Sequence, residues 1–245
     1  MNKQAVGKLI FALDAGSYDE ALSWIDMLAG HVGMFKVGKE LFTAVGPKII
    51  DCIKQRNQRV FLDLKFHDIP NTVVRAAEAA VKLGVDMFNV HASGGGKMIR
   101  ETVNAVQILT EGTNRTKPII LAVTVLTSLN DADLQEIGFV KTAQDQVLHL
   151  AGLTKAAGAD GVVASAQDIT KLRSNLGNDF IIVTPGIRSS QEKTKDDQKR
   201  TLGAAEAIRA GADYIVVGRP IRSAADPLAA CRRIIEEIAE GMAAE

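Results

Sequence analysis

The sequence predicts an α/β protein, a single-domain (β/α)8 barrel of the TIM type, on three observations. Short apolar runs alternate with longer amphipathic stretches along the whole chain, making eight strand–helix units in 245 residues, the usual size of this closed barrel. A loose internal echo supports the count: Leu83-Gly84-Val85-Asp86, Ala157-Gly158-Ala159-Asp160 and Ala210-Gly211-Ala212-Asp213 each end a helix and precede a strand, with Gly suited to the helix C-cap. The unusual polar residues collect at the ends of the apolar runs, where such barrels gather functional groups. A doubly wound open sheet alternates in the same way, but no Gly-x-Gly-x-x-Gly follows the first strand. The echoes are too loose for a solenoid. No linker or low-complexity segment appears, so residues 1–245 are expected to form one domain.

In order, the first strand is expected at 9–13, ending beside Asp14, and a helix at 18–28. The second strand, 34–37, contains Lys36 and leads to a helix over much of 41–54. The third covers 60–66, with a helix at 72–83 after Pro70, a residue suited to a first helical turn. The fourth strand, 87–90, precedes Gly94–Gly96 and a helix at 97–109. The fifth, 119–125, is the cleanest apolar run; a connection at 127–140, with a short helix after Asn130, and a helix at 143–156 follow. The sixth strand at 161–164 precedes a short helix at 168–176, and the seventh lies at 180–183. A polar loop at 184–197 and a helix at 198–210 lead to the eighth strand, 214–217, and a last helix at 228–239.

A hydrophobic share of 47% can bury the core of one large α/β domain. Lys+Arg and Asp+Glu balance at 29 each, so the overall charge calls for neither nucleic acid nor an acidic membrane surface, although a small anion could be held locally. Cys52 and Cys231 fall in helix-like segments and read as small buried residues. With no signal-peptide pattern and no apolar run of membrane-spanning length, the expectation is a cytoplasmic protein.

The third strand carries Asp63 and Lys65 within Val60-Phe61-Leu62-Asp63-Leu64-Lys65-Phe66. Residues two apart share a strand face, so both charges point one way and Leu62, Leu64 and Phe66 the other. A charged pair in an apolar strand costs free energy unless it is paired, so the choice lies between a structural ion pair, a solvated edge strand and an active site. Asp68 adds a charge where the strand gives way to a loop. Each neighbour also has a plainer reading: Lys36 could reach solvent, His91 could bond a loop carbonyl, and Asp14 could cap the next segment. Together, however, two carboxylates and two lysines arrive from three consecutive strands about 4.8 Å apart. Gly218 and Arg219, after the eighth strand, suit the usual phosphate grip of such barrels, with Arg188 a second cation from the neighbouring loop. Either arginine could instead be an ordinary surface residue. The polar segment 189–197 could close over a ligand or be only an exposed connection. His31, His67, His91 and His149 form no metal-ligand spacing, no Cys-x-x-Cys exists, and Lys36 and Lys65 would oppose a cation near the aspartates, so metal-free chemistry is expected.

The run Phe61-Leu62-Asp63-Leu64-Lys65-Phe66-His67-Asp68-Ile69-Pro70-Asn71-Thr72 resembles the signature of the orotidine 5′-monophosphate decarboxylase family. Leu13-Asp14, Phe35-Lys36-Val37-Gly38, Leu126-Thr127-Ser128, Thr184-Pro185-Gly186-Ile187-Arg188, Asp197-Gln198 and Val217-Gly218-Arg219-Pro220-Ile221 extend the likeness in family order over nearly the whole chain, in the bacterial single-domain form. The resemblance implies a cofactor-free, metal-free conversion of orotidine 5′-monophosphate to uridine 5′-monophosphate and CO2 in pyrimidine nucleotide synthesis. It implies a homodimer with sites at the interface. It gives Lys65 the role of proton donor and sets Asp63 beside the departing carboxylate. Asp14 and Lys36 go on the ribose side, completing the charged network. Asp68 and Thr72 enter from the partner subunit, Thr127 or Ser128 meets the pyrimidine, Gln198 bridges base and phosphate, and Arg188, Gly218 and Arg219 grip phosphate. The bare Asp-x-Lys-x-x-Asp is shared with Mg²⁺-dependent sugar-phosphate decarboxylases and aldolases of the same superfamily, which remain one alternative, although Lys36 favours the orotidine branch. A non-catalytic phosphate-binding barrel is the other.

Overall fold

Alternation along each strand sorts side chains between two cores. The computed structural model describes residues 2–187 and 202–243. Its eight strands are β1 (Leu9–Ala12), β2 (Met34–Gly38), β3 (Val60–Phe66), β4 (Met87–His91), β5 (Ile119–Val123), β6 (Gly161–Val163), β7 (Ile181–Thr184) and β8 (Tyr214–Val217). Each pairs in parallel with the next, and β8 returns to β1 to close the barrel. Ile10, Met34, Phe61, Met87, Leu121, Val183 and Val216 point inward and fill the barrel. The adjacent residues Phe11, Phe35, Leu62, Phe88, Ile120, Ile182, Ile215 and Val217 point outward, beneath the helices. Burying one such Phe, Leu or Ile stabilises the fold by about 1.5–3 kcal/mol, so both faces of the sheet resist polar substitution.

The helices follow from periodicity and caps. Tyr18–Leu28 begins at Ser17, whose side chain accepts from the Glu20 N–H, and it buries Ala21, Ile25 and Leu28 on one face. Asp131–Glu136 is the short helix expected after Asn130, with a reciprocal capping box between Asn130 and Asp133. Pro227–Met242 starts at Asp226, which accepts from the Ala229 N–H, and it buries Ala230, Cys231, Ile234, Ile235 and Ile238.

Several boundaries differ from expectation. The stretch 41–54 is two helices, Lys39–Val45 and Lys48–Gln55. Gly46 between them adopts φ +69° and Pro47 cannot continue the hydrogen-bond ladder. β5 stops at Val123, two residues early; the Thr124 N–H and hydroxyl both donate to the Val163 carbonyl. Lys3–Lys8 and Arg219–Arg222 are additional helices, too short to show a hydrophobic period. Of the helix expected at 198–210, Ala204–Arg209 is observed; its expected start lies outside the described residues.

The internal echo has a structural purpose. The Asp86 carboxylate accepts the Val60 N–H at 2.7 Å, Asp160 accepts Ile120 N–H at 2.7 Å and Asp213 accepts Ile182 N–H at 2.8 Å. Each Asp at the foot of an even-numbered strand thus clamps the preceding odd-numbered strand. A cation completes each clamp: Lys54 at 2.9 Å, Lys117 at 3.2 Å and Arg173 at 2.5 Å, respectively. These clamps lie at the barrel end opposite the charged cluster. Both cysteines are buried and unpaired, and burial pushes the Cys231 thiol up to about 11. Among the described residues, no helix is long and apolar enough to cross a membrane.

Candidate active site

Parallel register carries Lys36 of β2 and Asp63 of β3 to the same mouth of the barrel, with Ala12 opposite Lys36 and Gly38 opposite Asp63. Asp14 arrives just beyond β1. The result is a line of alternating charges. Arg222 lies 3.8 Å from Asp14, Asp14 is 3.3 Å from the Lys36 ammonium, Lys36 is 3.4 Å from Asp63, and Asp63 is 2.7 Å from the Lys65 ammonium. Burial is deepest in the middle: Lys36 and Asp63 side chains are 12% and 13% exposed, against 27% for Lys65 and 42% for Asp14. Burial alone would raise the Asp63 carboxyl, but attraction to Lys36 and Lys65 and hydrogen bonds from Lys65 and Asn89 together outweigh it and hold the group below the usual carboxylate range. The carboxylate is therefore ionised at neutral pH. Removing one member of such a buried set strands its partner, which costs about 3–5 kcal/mol in well-buried cases.

Simple alternation does not describe the end of β3. Leu62 stands opposite Phe88 and Phe66 opposite Val90, so four steps along β3 match two along β4. Within this bulge Lys65 takes φ +54°, a left-handed conformation that costs a non-glycine residue about 1–3 kcal/mol. Such strain persists only where surroundings enforce it. Asn89, fully buried on β4, accepts the Lys65 N–H at 2.8 Å and donates to Asp63 Oδ1 at 2.7 Å.

A cavity of about 280 Å³ opens beside the charges. Asp14, Lys36, Asp63 and Lys65 line one side, Val125, Leu126 and Thr127 another, and Pro185, Gly186, Gly218 and Arg219 the rim between β7 and β8. At Gly218 a Cβ would lie 3.2 Å from the Ala12 Cβ and 3.5 Å from Asp14 Oδ2, so glycine lets the β8 end approach the charged line closely. One cavity therefore joins an apolar wall, an ordered ammonium–carboxylate array and a glycine–arginine rim. That arrangement can stabilise and protonate a developing carbanion while holding a distant anion.

Of the residues named from sequence, Asp14, Lys36, Asp63, Lys65, Thr127, Gly218 and Arg219 converge on this cavity. Asp68, Thr72 and Ser128 do not line it and are exposed. The Asp68 carboxylate instead accepts the Ile69 N–H at 2.6 Å. Arg188, Gln198 and the segment 189–197 lie outside the described residues. His91 stacks on His67 with ring centroids 5.3 Å apart, and its Nδ1 lies 2.6 Å from the Ser93 hydroxyl. Burial, then His67 and Lys65, push His91 down to about 4, so it is neutral at physiological pH. Sequence reasoning missed Asn89 and Arg222. Asn89 left a signal, a polar residue on the Met87 face of an apolar strand; Arg222 left none.

The comparisons with known proteins agree with this geometry. The sequence profile described as orotidine 5′-phosphate decarboxylase / HUMPS family matches residues 7–234. The orotidine 5′-phosphate decarboxylase of Syntrophus aciditrophicus is 57% identical over 244 residues, covering 99% of this chain and 97% of the relative. Among solved structures, orotidine 5′-phosphate decarboxylase from Lactobacillus acidophilus superposes with a TM-score of 0.83 at 39% identity, covering 94% of this chain and 98% of the other. The enzyme of the same name from Pyrococcus horikoshii gives 0.73 at 27% identity, covering 94% and 99%. With a barrel, a charged line and a matching profile over most of its length, the chain belongs to the orotidine 5′-phosphate decarboxylase / HUMPS family.

Proposed function

We infer that this enzyme decarboxylates orotidine 5′-monophosphate to uridine 5′-monophosphate (UMP) and CO2, and that Lys65 is the proton donor. The observation that carries the residue role is the Lys65 ammonium held 2.7 Å from Asp63 at the wall of the cavity, with Lys36 on the other carboxylate oxygen. The bond from C6 to the carboxylate breaks, CO2 leaves, and the electron pair stays in an sp² orbital at C6. That charge is not delocalised as in an enolate, so a fixed ammonium is the group needed. One Lys65 proton then passes to C6, and neutral Lys65 recovers a proton from solvent. Asp63 faces the substrate carboxylate; their repulsion vanishes as neutral CO2 forms. Thr127 meets the pyrimidine, Asp14 and Lys36 meet the ribose side, and Gly218 and Arg219 hold the phosphate, whose binding energy orients the ring. In this proposal Arg188 joins the phosphate grip and Gln198 bridges base and phosphate, on the family resemblance alone.

A homodimer with shared sites belongs to the same proposal. Asp68 and Thr72 are exposed, Asp68 stands apart from its own subunit's charged line, and the adjacent Ile69 is 67% exposed. A second subunit covering this segment would bring Asp68 and Thr72 to the partner's cavity. A cytoplasmic setting suits the two unpaired cysteines.

The test is the loss of substrate absorbance on adding orotidine 5′-monophosphate in buffer treated with a chelator. The wild type is expected to turn over undiminished, and Lys65→Ala to lose more than about 10³-fold in kcat while still binding UMP. Near-normal turnover by Lys65→Ala would remove the proton-donor role, and chelator sensitivity would favour a metal-dependent chemistry.

A further inference from the structure

We propose that Asn89 is the positioning residue of the site: its carboxamide sets the Lys65 backbone and the Asp63 carboxylate in one rigid relation, and so aims the proton donor. The inference rests on the role given to Lys65 above. The bulge takes residues 63–65 out of regular pairing with β4, since Leu62 and Phe66 are the flanking residues that still find partners there. Asn89 stands opposite that gap and replaces the missing ladder contact with side-chain bonds. Its Oδ1 accepts the Lys65 N–H at 2.8 Å, and its Nδ2 donates to Asp63 Oδ1 at 2.7 Å. The same Asp63 oxygen receives the Lys65 ammonium at 2.7 Å. Backbone, carboxylate and ammonium of the reacting pair therefore form a ring closed through one amide.

The chemistry of that amide is specific. A peptide N–H faces its oxygen and a carboxylate faces its nitrogen, so the flipped orientation would set donor against donor and acceptor against acceptor. Aspartate would keep the acceptor for Lys65 but confront Asp63 with a second negative charge. Leucine would fill the volume and satisfy neither group. Asn89 is 0% exposed, so water cannot substitute for it without a cavity. Its position on β4, inside the barrel, gives it the rigidity that loop residues around the cavity lack. The left-handed Lys65, at φ +54°, is then held by a bond to a buried strand.

The experiment compares wild type, Asn89→Ala, Asn89→Ser and Asn89→Asp for kcat, UMP affinity and the pH dependence of kcat, with folding checked by circular dichroism. A mispositioned donor is expected to lower kcat by about 10²-fold while UMP affinity stays within about threefold. Loss of the amide donor also removes one stabiliser of the Asp63 carboxylate, so the acid limb of the kcat profile should move to higher pH in all three variants, furthest in Asn89→Asp. A purely structural residue would move neither the limb nor the kcat-to-affinity split. Folded variants with wild-type kcat and an unmoved acid limb would overturn the proposal, as would kcat and UMP affinity falling together. If Asn89→Ala does not fold, Asn89→Ser and Asn89→Asp decide on the same readings, and failure of all three to fold would overturn a positioning role in favour of a structural one. A wild type without turnover would instead sink the catalytic reading, so the two failures are distinguishable.

Discussion

At Asp63, burial and pairing pull in opposite directions, and pairing prevails. Its carboxyl is held below the ordinary value of about 3.9, so the folded state binds that proton less readily than the unfolded chain. The stability it contributes is complete above the ordinary carboxylate value and is lost as pH falls through the lowered folded value. Urea midpoints should therefore place the wild type above Asp63→Asn by about 1.5–3 kcal/mol at pH 7, the worth of charged hydrogen bonds, with the gap narrowing as pH falls below the ordinary carboxylate value. A gap independent of pH would contradict the charge-based account. The sequence made Asp63, Lys65, Lys36 and Asp14 legible because charges on apolar strands are conspicuous. Arg222 was not legible: an arginine on a short helix after β8 has no local reason to meet Asp14, and only the return of β8 to β1 brings them to 3.8 Å.

The strands solve two different problems at their two ends. At the foot, three Gly-x-Asp turns tie strand pairs together, each Asp meeting one strand N–H and one cation; Asp213 meets Ile182 N–H and Arg173. Asp213→Ala should cost about 2–3 kcal/mol, seen as a lower melting temperature, and leave kcat/KM within about twofold because the turn lies at the far end of the barrel. A large loss of kcat/KM without loss of stability would show that the two ends are coupled. At the mouth, β3 gives up regular pairing in its bulge. The echo was visible as a turn, but its carboxylate clamp was not, because the N–H it binds belongs to a strand 26 to 40 residues earlier. The bulge was invisible too: the alternating pattern of 60–66 fits a regular strand, and the departure exists only relative to β4.

For the molecule as a whole, barrel closure makes one cavity from elements spread across the chain, between Ala12 and Pro220. The placement of Asp68 outside that cavity extends the question to a second subunit. Mixing Lys65→Ala with Asp68→Ala subunits should restore up to about a quarter of wild-type activity, since half of randomly formed symmetric dimers would be hybrids carrying one intact site of two. No recovery from verified hybrid dimers would remove the shared site. What the sequence determined by itself was local and periodic: the alternation of strand and helix, the two faces of each strand, the glycine turns, and which residue types could do the chemistry. The tertiary structure decided what meets what. Two-residue alternation puts Asp63 and Lys65 on one face, but the bulge, the left-handed Lys65 and the buried Asn89 determine their 2.7 Å contact. Those features follow from β3 pairing with β4 across a closed sheet, and no local pattern encodes a relation between strands that distant in the chain.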